Sequence, residues 1–212
     1  MADLIHNLSI YTVIIPLFTG LVFWKYQETN ARIMVVLISF ASFTSIYPEF
    51  FPEGKSLIYN LYIIPDALLW SLMLYSSSRI NFVRYIILFL FFFFMVIYMW
   101  YVFSHGHIAQ QFYSDLVCLD SVLQVICVLL FFYEKYRTEQ ILNLEKDPMF
   151  WFCLAILLYA PCTYLRFALY NSNTYLNNFH SIINIVFYMM ISVGFTVKFS
   201  IIKSMRQWMK LY

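Results

Sequence analysis

Charged residues are scarce in this chain. Asp, Glu, Lys and Arg together make up 11% of its 212 residues, whereas soluble domains contain about 25%. Hydrophobic residues make up 63% of the chain and aromatic residues 22%. This balance excludes a disordered chain and a water-soluble domain, and it indicates a membrane protein that crosses the bilayer several times.

Glycine and the motifs that depend on it are also rare. The chain has four glycines, and it contains no phosphate-binding loop, dinucleotide fingerprint or nucleophile elbow. Its four cysteines form no CxxC pair, and a disulfide between Cys118 and Cys162 is left open. We therefore predict no enzyme activity, no metal site and no cofactor. A net charge of +2, without a block of basic residues, argues against a nucleic-acid partner.

Seven hydrophobic runs are long enough to cross a bilayer as helices, which takes about 20 apolar residues each. The runs are continuous and not alternating, which argues against membrane-spanning strands. We predict an all-α integral membrane protein in which residues 1–212 form one seven-helix transmembrane domain without a soluble domain. The predicted spans are Leu8–Trp24, Ile33–Tyr47 (extending toward Phe51), Leu57–Ser76, Phe82–Phe103, Ser114–Tyr133, Met149–Leu169 and Ser181–Phe199.

Basic residues lie almost entirely at one side of these spans. Eleven of the thirteen Lys and Arg residues fall on that side, whereas Lys55 falls on the opposite side and Arg166 lies inside a span. By the positive-inside rule, this asymmetry predicts an N-terminus outside and a C-terminus in the cytoplasm. The eleven residues are Lys25, Arg32, Arg79, Arg84, Lys135, Arg137, Lys146, Lys198, Lys203, Arg206 and Lys210.

Charged side chains inside the spans are the best candidates for a functional site. Each costs roughly 2.5–3.5 kcal/mol at the centre of a membrane helix. At about 1.5 Å per residue, Asp66 lies near mid-membrane on the third span. Arg166 lies near the outer end of the sixth span, at a depth compatible with Asp115 and Asp120 on the fifth. An ion pair between Arg166 and one of these two carboxylates is therefore expected.

Helical spacing groups further polar side chains with these charges, because residues three or four positions apart share one helix face. Four such faces, on the third, fifth, sixth and seventh spans, need a common interior, with His180 at its mouth. The fourth span, with Phe91–Phe94, has no polar face and is expected to contact lipid. The four faces contain Tyr59, Tyr62, Asp66 and Trp70; Tyr113, Asp120, Gln124 and Cys127; Tyr159, Cys162, Thr163, Arg166 and Tyr170; and Ser181, Asn184, Tyr188 and Ser192.

Three interpretations of this polar cluster remain open. The first is an outward-facing ligand pocket. The second is a structural ion pair that holds the fifth and sixth spans together. The third is an ion or proton path. On the first interpretation, the ligand-binding residues are Arg166, Asp120, Asp66, Asn184, His180 and Asp115.

Three stretches together resemble small, stand-alone, seven-helix bacterial inner-membrane proteins of uncharacterised function. They are Tyr59-Asn60-Leu61-Tyr62 leading to Asp66, Asp147-Pro148-Met149-Phe150-Trp151 leading to Leu158-Tyr159, and Asn178-Phe179-His180-Ser181-Ile182-Ile183-Asn184-Ile185 leading to Val193-Gly194-Phe195. Such proteins are similar to membrane sensing domains associated with histidine kinases. The resemblance implies a multi-pass protein of the bacterial inner (plasma) membrane, with Asp66 at the acidic position of the third span.

The resulting prediction is a sensory or accessory membrane protein. It would bind a small ligand, or a partner, in an outward-facing polar cavity. It would then signal to a sensor kinase or another membrane protein through the segment from Glu134 to Asp147 and the C-terminal tail. The alternative is a small transporter or a carrier coupled to ions or protons.

Overall fold

Helices make up all the regular structure of the described residues. The computed structural model describes residues 2–106, 108, 111–138, 144–169 and 174–208, without the side chains at 2, 3, 174–176, 198 and 201–208. Short 3-10 turns join some of the α-helices. These α-helices are α1 (Ala2–Tyr11), α2 (Ile14–Val22), α3 (Thr29–Phe50), α4 (Lys55–Ser77), α5 (Asn81–His105), α6 (Ser114–Arg137), α7 (Pro148–Ala168) and α8 (Thr174–Trp208).

Among the residues that the structure describes, seven helical segments are long and apolar enough to cross a membrane, which agrees with the predicted number. The helices α1 and α2 together form the first segment, and each predicted span overlaps one of the seven. The segments are Leu4–Val22, Thr29–Phe50, Pro52–Ser77, Asn81–His105, Ser114–Arg137, Pro148–Ala168 and Asn177–Val197.

The first segment is interrupted between α1 and α2, which the sequence analysis did not predict. Pro16 has no N–H to donate to the carbonyl of Thr12, and its ring crowds that carbonyl. The hydroxyl of Thr12 turns back to the carbonyl of Leu8 at 2.5 Å, and the N–H of Ile15 donates to the carbonyl of Thr12 at 3.1 Å. The position of Pro16 in the first turn of α2 therefore explains the break.

The start of α7 follows the sequence closely. Asp147 caps the helix by accepting the N–H of Met149 at 2.9 Å, and Pro148 occupies the first helical position, where its missing N–H costs nothing. Lys135, in the last turns of α6, forms an ion pair with Asp147 at 3.2 Å. The end of α6 and the start of α7 are therefore fastened together.

The bundle has two different ends. We call the end at which α3, α5 and α7 finish the open end, and the end at which α4 and α6 finish the closed end. Six large and fully buried apolar side chains, one from each of six helices, lie within about two turns of the closed end of their membrane-length segments. They are Met34, Met73, Ile87, Phe131, Phe152 and Phe195.

Helix α5, which is the fourth membrane-length segment, lies at the edge of the bundle. Its packing neighbours are α4 and α6, and it has the smallest buried share of the seven membrane-length segments. Phe92 and Phe93 are exposed on its surface, whereas Phe94 is buried. The expectation of a lipid-facing helix agrees with this placement.

Asn60 fixes the connection between α5 and α6 at the open end. Its side chain is fully buried, donates to the carbonyls of Ile108 and Gln111 at 2.8 and 2.7 Å, and accepts the N–H of Tyr113 at 2.9 Å. One amide thus provides hydrogen-bond partners for three backbone groups of this connection. This fastening positions Phe112 beside the cavity described below.

The closed end is packed too tightly to accept a methyl group at Gly194. A Cβ there would lie 2.5 Å from Cε1 of Phe152, and Phe152 cannot move aside because it is fully buried against Phe195. We expect Gly194→Ala to lower the free energy of unfolding by about 1–3 kcal/mol, measured by thermal unfolding in detergent.

The matched control is Gly54→Ala. The nearest atom to a Cβ at Gly54 is Cδ1 of Ile58, at 3.9 Å, which is ordinary contact. Equal unfolding midpoints for the two variants would contradict the packing described for the closed end.

Candidate functional site

A cavity of about 600 Å³ occupies the open half of the bundle. This volume lies within the range of roughly 300–1,000 Å³ that is typical of small-molecule sites. Residues from α1, α3, α4, α6, α7 and α8 line it, together with Phe112. Its depth extends from His6 and Glu49 at the open end to Trp70 and Gln124 near the middle of their helices. Below it lies the apolar core of the closed end.

Two carboxyl groups lie side by side at the floor of this cavity. The side-chain amide of Gln124 donates to Oδ2 of Asp66 at 2.9 Å and to Oδ2 of Asp120 at 2.7 Å. The hydroxyl of Tyr62 donates to Oδ1 of Asp66 at 3.0 Å. One amide group thus holds both carboxyl groups close together at the floor of the cavity.

Arg166 lines the wall of the cavity nearer its mouth. Its Nε is buried and has no hydrogen-bond partner, and its guanidinium carbon lies 5.4 Å from the ring centre of Phe167. Arg166 also interacts electrostatically with Tyr59, Tyr159 and His180. No ion pair that involves Arg166 is found among the residues that the structure describes.

Two side chains of α8, which packs against α7, line the same cavity with unused polar atoms. His180 is 6% exposed, its Nδ1 has no partner, and its ring packs against Tyr159 at 5.5 Å. Asn184 donates to the backbone carbonyl of Ser9 at 3.3 Å, but its Oδ1 is buried without a donor. The wall therefore presents unsatisfied polar groups, whereas the carboxyl oxygens at the floor are engaged in hydrogen bonds.

The structure brings five of the six predicted site residues to this one cavity, namely Arg166, Asp120, Asp66, Asn184 and His180. Their role in binding remains a prediction. Residues from all four predicted polar helix faces line the cavity, and Tyr170 lies outside the described residues. Four members of these faces are absent from the described lining: Tyr113, Cys127, Cys162 and Ser192.

The prediction of an ion pair between Arg166 and Asp115 or Asp120 was wrong, because no such pair occurs among the described residues. Asp115 is absent from the described cavity lining and accepts a hydrogen bond from the hydroxyl of Tyr101 on α5 at 3.1 Å. Five residues separate it from Asp120, which at 3.6 residues per turn places the two about 140° apart on α6. Asp120 itself is engaged by Gln124. Matching depth along the helices therefore did not bring Arg166 into contact with either carboxylate.

Two helices for which no polar face was predicted, α1 and α3, also line the cavity. Ser45 and Glu49, one turn apart on α3, line the cavity with Thr44, and His6 and Ser9 do so on α1. The four-residue spacing between Ser45 and Glu49 was a usable signal, but the strongly apolar context of the span masked it. Cys118 and Cys162, whose pairing was left open, are free thiols, as are the other two cysteines.

These features together define a helical bundle with membrane-length segments and a polar cavity open at one end. Comparisons with protein-family models, curated proteins and solved structures found no match to this chain. The resemblance to kinase-associated sensing domains therefore stays a prediction.

Gln124 is expected to stabilise the fold through the two carboxyl groups that it bridges. Replacing it in Gln124→Leu leaves two buried carboxyl groups without their common donor, which should cost about 1–3 kcal/mol of unfolding free energy. In the Asp66→Asn background the loss should be smaller, because the new amide can itself donate to Asp120. A double-mutant cycle of thermal unfolding measures this coupling.

Ser121→Ala provides the control, because Ser121 lines the same cavity on the same helix but donates only to the carbonyl of Val117 on its own helix. A Gln124→Leu effect no larger than that of Ser121→Ala would argue against the bridging role.

Proposed function

We propose that this chain is a sensory or accessory protein of the bacterial inner membrane that binds a small ligand in the cavity of its open half. The single observation that supports this function is a one-ended cavity whose wall presents buried polar atoms without partners. Buried polar groups normally have partners, so unsatisfied atoms around an empty volume favour a bound molecule. The signal would pass to a separate partner, such as a sensor kinase.

The distribution of charge supports an outward-facing cavity. Lys25, Arg32, Arg79, Arg137 and Lys146 all lie near the closed end. Under the positive-inside rule that end would face the cytoplasm, and the open end would face outward. Lys210 lies outside the described residues.

Helix α6 connects the cavity with the closed end of the bundle. It carries Gln124 at the cavity floor and Glu134 near its own end. The carboxylate of Glu134 is buried, accepts a hydrogen bond from the hydroxyl of Ser78, and accepts the backbone N–H of Arg79 at 2.5 Å. Both donors belong to the connection between α4 and α5. A shift of α6 on ligand binding would therefore move this connection and, through the ion pair of Lys135 with Asp147, the start of α7.

A proton-coupled carrier is the second candidate, and the Asp66–Asp120 pair favours it. Two carboxyl groups that accept from one amide inside a membrane-length bundle are candidates for carrying a coupled proton. A carrier must also open its cavity to the other side, so it predicts flux across proteoliposome membranes that is lost in Asp66→Asn. A sensor predicts binding without flux.

Filling the cavity tests the proposed function. Ser181 is buried on α8 and lines the cavity. We expect a small molecule that co-purifies with the wild type to be absent from Ser181→Phe, because the new ring occupies the ligand volume. Mass spectrometry of the solvent extract measures this, and the unfolding midpoint verifies that the variant is folded.

The matched control is Val186→Phe, which adds a ring to an exposed position of the same helix. The same small molecule retained by both folded variants, or a wild-type protein that carries no small molecule, would contradict the proposal.

For signalling, a partner should be captured by cross-linking in native membranes, and Glu134→Gln should reduce the yield of the cross-linked complex.

A further inference from the structure

Arg166 is a cation without a counter-charge in a membrane-length segment. Its Nε is buried, and no ion pair that involves it occurs in the described parts of the chain. Arg166 as a whole is half-buried. Charged residues in membrane helices usually face a partner, and a charge partly removed from water is stabilised by pairing and hydrogen bonding. An anion beside Arg166 would supply that partner.

The acidic residues of the cavity do not supply this anion. Asp66 and Asp120 face each other across Gln124, and the donors that they use are Tyr62 and Gln124. Glu49 is exposed at the mouth, where water can solvate it. A cationic ligand would have to displace these internal hydrogen bonds, whereas an anionic ligand meets an unused guanidinium.

We infer that the cavity takes an amphipathic molecule with one oxyanion group, a carboxylate, phosphate or sulfonate, which binds Arg166. This ligand class rests on the proposed function of the cavity. The oxyanion accepts hydrogen bonds from the guanidinium, in the geometry that makes arginine a common ligand for such groups. Oδ1 of Asn184, which lacks a donor, calls for an N–H or O–H elsewhere on the same molecule.

Aromatic side chains define the surface for the rest of the ligand. Tyr59 packs against Phe112 with ring centres 5.9 Å apart, and Phe112 packs against Phe167 at 5.2 Å. All three rings line the cavity, and Phe167 lies beside Arg166. A flat or apolar body of the ligand can pack on these rings while its charged group reaches the guanidinium.

Three probes with one indole body and different charges test this ligand class. Indole-3-acetate is an anion, indole-3-acetamide is neutral and tryptamine is a cation, and each has an indole N–H for Asn184. Binding is measured by equilibrium dialysis of radiolabelled probes against the full chain in phosphatidylcholine nanodiscs, with empty nanodiscs subtracted. We expect the acetate to bind at least about tenfold more tightly than the amide or the amine.

Variants locate the source of this preference. Arg166→Gln should remove the preference for the acetate, and Arg166→Lys should keep part of it because the charge remains. Lys25→Gln is the matched control, since Lys25 is an exposed cation near the closed end, outside the described lining of the cavity, and it should leave the preference unchanged. Unfolding midpoints verify that each variant is folded.

The outcomes separate this inference from the function on which it depends. Equal affinity for the three probes, or a preference for tryptamine, overturns the anionic class and leaves a ligand-binding cavity. No saturable binding of any probe overturns both. A preference for the acetate that is unchanged in Arg166→Gln overturns the role of Arg166. Competition by phosphatidylglycerol added to the nanodisc would identify a lipid headgroup as the oxyanion, and its absence would identify a soluble molecule.

Discussion

Polar groups inside a hydrocarbon layer have no water to bond with, so each must find a partner within the protein. The bundle of membrane-length segments is arranged as this constraint would require in a bilayer. Polar faces of six helices turn toward one volume, where Asp66 and Asp120 are satisfied by Tyr62 and Gln124. Arg166 and Asn184 line the same volume with unsatisfied atoms. The difference between the satisfied floor and the unsatisfied wall is what makes the cavity a binding site in our account.

The two halves of the bundle have different physical characters. Apolar side chains fill the closed half so completely that a methyl group at Gly194 would overlap the ring of Phe152. The open half, in contrast, encloses a cavity of about 600 Å³. A tightly packed half moves as a unit, because well-packed interiors transmit displacement instead of absorbing it. Helix α6 extends through both halves, with Gln124 in the open half and Glu134 in the closed half. A ligand that shifts α6 in the open half would therefore be sensed at the closed end.

Much of this arrangement could be predicted from the sequence, and the failures have physical reasons. Hydropathy gave the seven segments because the bilayer sets the length of an apolar helix. The spacing of Asp66, Asp120 and Asn184 placed them on the faces that meet in the cavity. Depth alone also suggested an ion pair for Arg166, but depth says nothing of direction around the helix axis, and Asp115 points toward α5. The contact between Asp66 and Asp120 depends on how α4 and α6 pack, which no local pattern encodes.

An experimental density map of the full chain in nanodiscs, obtained by electron cryomicroscopy with a bound antibody fragment, tests the central claim most directly. Our account predicts seven membrane-crossing segments, an open cavity, and density from a non-protein group against the guanidinium of Arg166. An ion pair of Arg166 with Asp115 or Asp120 across a collapsed cavity would contradict it.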